Sequence, residues 1–323
     1  MHTPSFSSLN ALVRPTLAGA AALLAAIVTL SASGARTPQD ASQAQDAAAQ
    51  AKDRPVRVAS YNIHHGSGND TCTPPTPSTP PSAECALNLE RIGDVIRDLD
   101  VDVIGLQEVD RFWGRSGVVD QPAALARQLR MHVCYGANLD HQPDNHASQP
   151  HQYGTAILSR RPILSCENSL LPRANPNSEQ RGLLHARINV RGVPLHFYNT
   201  HLHTQAADRA VQIPALDALV SDTAPAIIVG DFNAQPTEAP LAPLQARFQD
   251  LWPTIGSGNG FTFPASPTTP PNRRIDYIFL SRDITATGAA VAIDVTTTMA
   301  ADHLPLVADA LLPGSAVGIG HDR

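Results

Sequence analysis

Lysine is almost absent from these 323 residues; Lys52 is the only one, and arginine supplies the rest of the positive charge. With 23 basic against 29 acidic residues, the formal charge is −6. A broad basic surface for tracking a polynucleotide is therefore excluded, although a local arginine patch is not. Charged residues make up 16% of the chain and aromatics 5%. No repeat of fixed period is present, which excludes coiled coils and helical arrays. The apolar run from Thr16 to Ser31 falls short of the roughly 20 residues that span a bilayer. The four cysteines include no close CxxC pair, so a cysteine zinc centre is not expected. Neither a dinucleotide glycine fingerprint nor a phosphate-binding P-loop occurs. What is abundant is hydrophobic content, 42%, and proline, 28 residues. Together they indicate a loop-rich domain with a sizeable core.

Residues 1–35 follow the order of a secretory signal: Arg14, an Ala/Leu-rich run, then small residues ending at Ala35. This predicts export, to the periplasm or outside the cell, with an uncleaved anchor as the alternative. Its removal leaves 22 basic against 29 acidic residues. Residues 36–53 read as a flexible Ala/Gln/Asp linker, 54–313 as one folded domain and 314–323 as a tail. Disulfides fit an oxidising compartment. Cys72 and Cys85 bracket a Pro-rich insert, and Cys134 and Cys166 flank another segment. These are the pairs expected here, out of three possible connectivities, with free buried thiols as the alternative.

Apolar patterning predicts strands at 56–63, 101–109, 153–159, 183–190, 193–203, 224–233, 273–281 and 305–312. Helices are predicted at 87–99, 122–131 and 206–222, the last kinked at Pro214. A hairpin turn is expected at Arg191-Gly192. Strands and helices in this mixture imply a layered α/β fold with two sheets.

Strand after strand then ends in a residue able to bind a cation or move a proton: Asn62, Glu108, His201, and Asp231 with Asn233. Asp276 lies in the late strand, and Asp302-His303 precedes the last one. Buried carboxylates are costly unless paired or metal-bound, and Glu, Asp and Asn oxygens select Mg²⁺, with Mn²⁺ or Ca²⁺ as alternatives, over zinc. Each residue also has a plain structural reading. Asn62 can cap a turn, Glu108 can pair with Arg111, and Asp231 and Asn233 can form a turn. Asp276 can pair with Arg273 or Arg274, and His303 can lie at the surface.

The stretches ASYNIHHG, DVIGLQEVD, YGTAILSRRPI, NTHLH, VGDFNAQP, RIDYIF and ADHLPLV, in this order from about 56 to 312, resemble the endonuclease/exonuclease/phosphatase family. This is the metal-dependent phosphoesterase fold of deoxyribonuclease I and the neutral sphingomyelinases. The usual SDH is ADH here, with Ala301 in place of Ser. The resemblance implies a four-layered α/β sandwich, with two mixed, mainly antiparallel sheets face to face and helices outside. It implies a Mg²⁺-dependent hydrolysis of phosphodiesters by metal-aligned water. Glu108 would be the principal metal ligand, with Asn62 near the metal and phosphate and Asp302 contributing to the metal or holding its neighbour. Asp231 would orient or deprotonate the water, and Asn233 would hold phosphate or nucleophile. His303 would contact phosphate with its ring held by Asp276, and His201 would donate to the phosphate or leaving oxygen. Arg181, His65 and Tyr153 are the expected phosphate or substrate contacts; His64 and His203 either line the site or face solvent.

Three substrates fit: a lipid headgroup, a nucleic acid reached through Arg111, Arg115, Arg160 and Arg161 without a stable complex, or a small phosphoester. A monomer is expected. A catalytically dead binding module is the remaining alternative, disfavoured because every member of the constellation is present.

Overall fold

The computed structural model describes residues 52–69, 83–143, 149–221 and 225–314, with 83–87 as backbone. The expected signal, linker up to 51, and tail beyond 314 lie outside these residues, as does the expected Cys72–Cys85 pair.

The first sheet runs β11 (Thr285–Val291), β12 (Leu306–Leu312), β1 (Arg54–Asn62), β2 (Val103–Arg111), β4 (His151–Ser159) and β3 (His132–His141). The second runs β5 (Ile163–Leu170), β6 (Gly182–Val190), β7 (Val193–His201), β8 (Ala226–Asp231), β10 (Asp276–Leu280) and β9 (Gln249–Asp250). Sequence patterning foresaw the eight inner strands. It missed β3, β5, β9 and β11, which are the four edge strands.

The inner strands read as unbroken apolar runs because both faces are covered. Val58, Val103 and Ile157 of the first sheet meet Phe197, Val229 and Ile278 of the second in a shared core. Their chain neighbours Ala59, Ile104 and Leu158 point the other way, onto Ile92 and Ile96 of helix α1 (Ala83–Leu99) and Leu125 of α2 (Gln121–Leu129). On the far side Tyr198, Ile228 and Phe279 pack on Ile213 and Leu216 of α3 (Ala206–Leu219) and Leu244 of α4 (Ala242–Arg247). Short helices α5 (Leu251–Ile255) and α6 (Val295–Ala300) complete the set. The result is the four-layer α/β sandwich. Helix α2 starts where the Asp120 carboxylate accepts from the Ala123 amide, satisfying one of the free N–H groups of the first turn. Helix α3 runs on through Pro214, and the predicted strand 193–203 stops at His201.

Two parallel pairs fix the functional edge. β1 and β2 are parallel and joined through α1, and β7 and β8 are parallel and joined through α3. Each crossover returns the chain to the same edge, so the C-terminal ends of all four strands gather there. The hairpin between β6 and β7 turns at Arg191 and Gly192, with φ of 52° and 93°. Positive φ at both central positions is the geometry that matches strand twist in a two-residue loop.

Cys134 on β3 and Cys166 on β5 form a disulfide that ties an edge of one sheet to an edge of the other. For a separation of 32 residues, loop entropy alone is worth roughly 3 to 4 kcal/mol. The Cys134→Ala/Cys166→Ala double variant is expected to lose about that much in urea unfolding; an unchanged midpoint would remove the staple role.

On the outer face of the second sheet, His185 stacks on Tyr198 and sits with Nε2 3.1 Å from Nδ1 of His196. Burial, aided by His196, pushes the His185 imidazole down to about 4. Between that value and about 6.5 the unfolded chain takes up a proton that the fold refuses. Stability is therefore fully present above about 6.5 and lost as pH falls towards 4. The thermal midpoint of His185→Gln should fall less steeply than wild type over that window, and parallel curves would refute the assignment.

Candidate active site

At the shared strand edge, Asn62 ends β1, Glu108 sits near the end of β2, His201 ends β7 and Asp231 ends β8. Asp276 opens β10 and pairs in register with Asp231, which in turn pairs with His201. His303 comes from the loop before β12. Seven predicted residues, these six and Asn233, thus meet at one end of the sandwich.

The backbone is bent to make them meet. Glu108 lies at a register shift between Leu106 and Val109 in the β2–β4 pairing, with φ of 56°; a bulge re-aims the side chain. His64, His65 and Asn233 also take positive φ, at 47°, 44° and 50°. Such conformations cost of order 1 to 3 kcal/mol each and persist only where surrounding contacts hold them. Below the site Gly105 is a close approach: a Cβ there would stand 2.4 Å from Cγ2 of Val229. The Gln107 amide donates to Oδ1 of Asn199, which itself donates to the Leu106 and Ala156 carbonyls, riveting the sheets together.

Asn62 is fully buried and is the hinge between the two sheets' carboxylates. Its Nδ2 donates to Oε1 of Glu108 and Oδ2 of Asp231, both at 3.1 Å. His303 donates from Nδ1 to Oδ2 of Asp276 at 2.8 Å, and its Nε2 lies 3.6 Å from Oδ2 of Asp231. Asp276 is itself held by the Thr262 hydroxyl at 2.5 Å. Burial opposes charging of His303, but the carboxylates of Asp276 and Asp231 outweigh it and carry the imidazole up to about 10. Burial pushes Asp231 up to about 7, against the pull of His303 and with the push of Asp276. For Glu108, burial would raise the carboxyl, yet the imidazoles of His65, His201 and His64 hold it well below its usual range.

His201 is the opposite kind of histidine. Arg181 donates from Nη1 to its Nδ1 at 2.8 Å, so the ring proton sits on Nε2. That nitrogen stands 3.4 Å from Oδ2 of Asp231, with Nδ2 of Asn233 3.2 Å away. Burial first, then Arg181, drives the ring well below the usual histidine range. The site therefore holds one charged and one neutral imidazole on either side of Asp231.

His65 lies 3.5 Å from Glu108, and His64 3.9 Å from Asp302. Tyr153 packs against Arg115, whose guanidinium is 5.2 Å from its ring. His203 falls outside: beyond the end of β7 it pairs with Asp208 at 3.4 Å. Of the plain structural readings the turns are present, with Oδ1 of Asn62 accepting from the His64 N–H and Oδ1 of Asp231 from the Asn233 N–H, and the arginine pairings are not. Arg111 pairs with Asp120, not Glu108, and Arg274 pairs with Asp250, not Asp276. The four arginines expected to reach a nucleic acid are all committed to acids: Arg111 to Asp120, Arg115 to Asp110, Arg160 to Asp100 and Arg161 to Asp102. Thr262 was not foreseen; it lies in a loop far from any motif, and its backbone bonds, N–H to the Arg273 carbonyl and carbonyl from the Leu304 N–H, bring it to Asp276. The Asp110–Arg115 pair was likewise hidden, since an Asp two residues after Glu108 reads as surface charge.

The donor set fits a divalent cation. Ligand atoms of His64, His65 and Glu108 lie within 4.8 Å of one another, as do those of Asp231, Asp276 and His303. Among the described residues, Nδ1 of His65, Oδ1 of Asp276 and Oδ1 of Asp302 are buried with no hydrogen-bond partner. Buried polar atoms left alone are uncommon and point to an ion or water.

Comparison with known proteins identifies the family and the fold. The family model described as the endonuclease/exonuclease/phosphatase family matches residues 59–303. A crystal structure of an endonuclease/exonuclease/phosphatase from Beutenbergia cavernae is similar at 27% identity and a TM-score of 0.64, covering 81% of this chain and 72% of that one. The human nocturnin catalytic domain with bound sulfate shares the fold at a TM-score of 0.59 and 19% identity, covering 80% of this chain and 93% of that one. Protein cwh43 of Schizosaccharomyces pombe is 31% identical over 135 residues, which are 41% of this chain and 13% of that protein.

Proposed function

The chain belongs to the endonuclease/exonuclease/phosphatase family, and on that premise we propose that it is an exported, divalent-metal-dependent phosphodiesterase acting through water rather than a covalent intermediate. The observation that carries this reading is Asn62, whose one amide spans Glu108 and Asp231. It couples a carboxylate suited to a cation to one suited to a water proton. A divalent cation held by Glu108 and Asn62 would neutralise charge building on the phosphate oxygens.

Asp231 accepts the proton of the attacking water, a role favoured when the carboxyl titrates close to working pH. His303, charged and held by Asp276, donates from Nε2 to a phosphate oxygen as charge develops. His201, neutral and with its proton fixed on Nε2 by Arg181, donates to the phosphate or to the leaving oxygen. Asn233 holds phosphate beside it. Export rests on the order of residues 1–35.

A lipid headgroup or small phosphoester is favoured over a polynucleotide. Binding along a nucleic acid needs cations free to neutralise successive phosphates, and Arg111, Arg115, Arg160 and Arg161 each already have an acid. The test sets plasmid DNA, a phosphocholine lipid and bis-p-nitrophenyl phosphate before the same protein, with EDTA and Glu108→Gln as controls. Hydrolysis of the lipid or small diester, lost in both controls, is expected. Metal-dependent nicking as the dominant activity would reverse the substrate order. No hydrolysis of any of the three would sink the assignment.

A further inference from the structure

The carboxylate that anchors the cation has two imidazoles beside it, and their surroundings leave them little else to do. Ser67 is the key. Its hydroxyl donates to the His64 carbonyl at 3.0 Å, and its oxygen lies 3.2 Å from both Nδ1 of His64 and Nε2 of His65. A serine has one proton to give and two lone pairs to accept with. With the proton spent on the carbonyl, both ring nitrogens facing Ser67 must donate. In the neutral rings the opposite nitrogens are then the ones left to ligate. For His65 that nitrogen is Nδ1, buried, without a hydrogen bond, and 3.5 Å from Oε2 of Glu108. A dication between Nδ1 of His65 and Oε2 of Glu108 would give both buried atoms a partner, and the ligand atoms of His64, His65 and Glu108 lie within 4.8 Å of one another. Ser67 thus does for these rings what an outer hydrogen-bond partner does for metal-ligating histidines, fixing tautomer and orientation. Two consecutive non-glycine residues held at positive φ, 47° and 44°, bring both rings to one carboxylate. Asp302, with Oδ1 buried and unpartnered, flanks His64 at 3.9 Å.

We propose that His64, His65 and Glu108 form a mixed nitrogen–oxygen site that takes a first-row transition dication, of the Mn²⁺ to Zn²⁺ series, in preference to Mg²⁺. Oxygen donors alone suit Mg²⁺. Imidazole shifts the balance, because affinity for nitrogen donors rises along the transition series and Mg²⁺ takes oxygen. The inference rests on the reading of Glu108 as the cation-holding carboxylate.

Equilibrium dialysis of purified mature protein against Mg²⁺, Mn²⁺ or Zn²⁺, with metal counted by mass spectrometry, tests it without any turnover. Wild type should prefer Mn²⁺ and Zn²⁺ to Mg²⁺ by at least about tenfold, and the spin-echo spectrum of the Mn²⁺ form should carry imidazole nitrogen modulation. His65→Ala and His64→Asn should each lower Mn²⁺ and Zn²⁺ affinity by about tenfold or more and leave Mg²⁺ affinity nearly unchanged. Equal affinity for Mg²⁺ and Mn²⁺ in wild type, or absence of nitrogen modulation, overturns the proposal even if neither variant folds. Dication binding that depends on Glu108 but not on the histidines overturns it while the hydrolase reading stands. Binding that ignores Glu108→Gln removes the premise of both.

Discussion

Asp231→Asn is expected to lower kcat/KM for phosphodiester hydrolysis by roughly a thousandfold, within the range a positioned general base supplies. Apart from the Asp276 carboxylate, the groups facing this carboxylate are donors. The Asn62 side chain gives to Oδ2, the Asn233 backbone N–H gives to Oδ1 at 2.9 Å, and Nε2 of His201 and His303 stand 3.4 and 3.6 Å from Oδ2. An amide offers one oxygen in place of two, so the variant places N–H against N–H somewhere in the ring and has no basic oxygen for a water proton. The pH profile carries a second signature. The base must be deprotonated to act, and burial lifts Asp231 to about 7, so wild-type kcat/KM should rise as pH climbs towards that value. The limb belongs to the coupled Asp231–His303 pair rather than to one residue. Residual Asp231→Asn activity should lack it. A variant with near-normal rate, correctly folded by circular dichroism, would pass the base role to another group.

Much of this site was legible in the sequence, for a physical reason. Inner strands of a sandwich are buried on both faces, so Val103 to Leu106 and Ala226 to Val229 stand out as apolar runs. A polar residue at the end of such a run, such as Glu108 or Asp231, is conspicuous because burial there needs compensation. Edge strands lack that contrast. β5 and β11 alternate between half-buried and exposed positions, and their composition, SCENS or TATGA, resembles loop. What sequence could not carry was the pairing across the fold. Arg115 and Arg161 read as free cations because the acids that neutralise them, Asp110 and Asp102, look like ordinary surface charge until the sheet brings them together. The state of the two histidines was equally hidden. His201 and His303 are the same residue type at the same edge. An arginine beside one and a carboxylate beside the other separate them into neutral and charged forms.

That separation yields the second large effect. His303→Gln should cost about 10² to 10³ in kcat, the scale seen when one donor to developing charge is removed. Asp276 touches no substrate in this reading and acts only through the ring, so Asp276→Asn should cost less, and the double variant should be no worse than His303→Gln alone. A merely structural Asp276 would instead give losses that add. The pH profile separates the two cases again. In wild type the carboxylates of Asp276 and Asp231 keep His303 protonated up to about 10, so activity should persist into alkaline solution and fall only as that proton is lost. Asp276→Asn removes the nearer carboxylate, at 2.8 Å, and the alkaline limb should move to lower pH while the acid limb moves less. If Asp276→Asn lowers the rate uniformly with both limbs in place, the carboxylate is not what holds the charge on His303. The donor to the phosphate would then have to be sought at Arg181, whose Nε is buried beside His201 without a partner among the described residues.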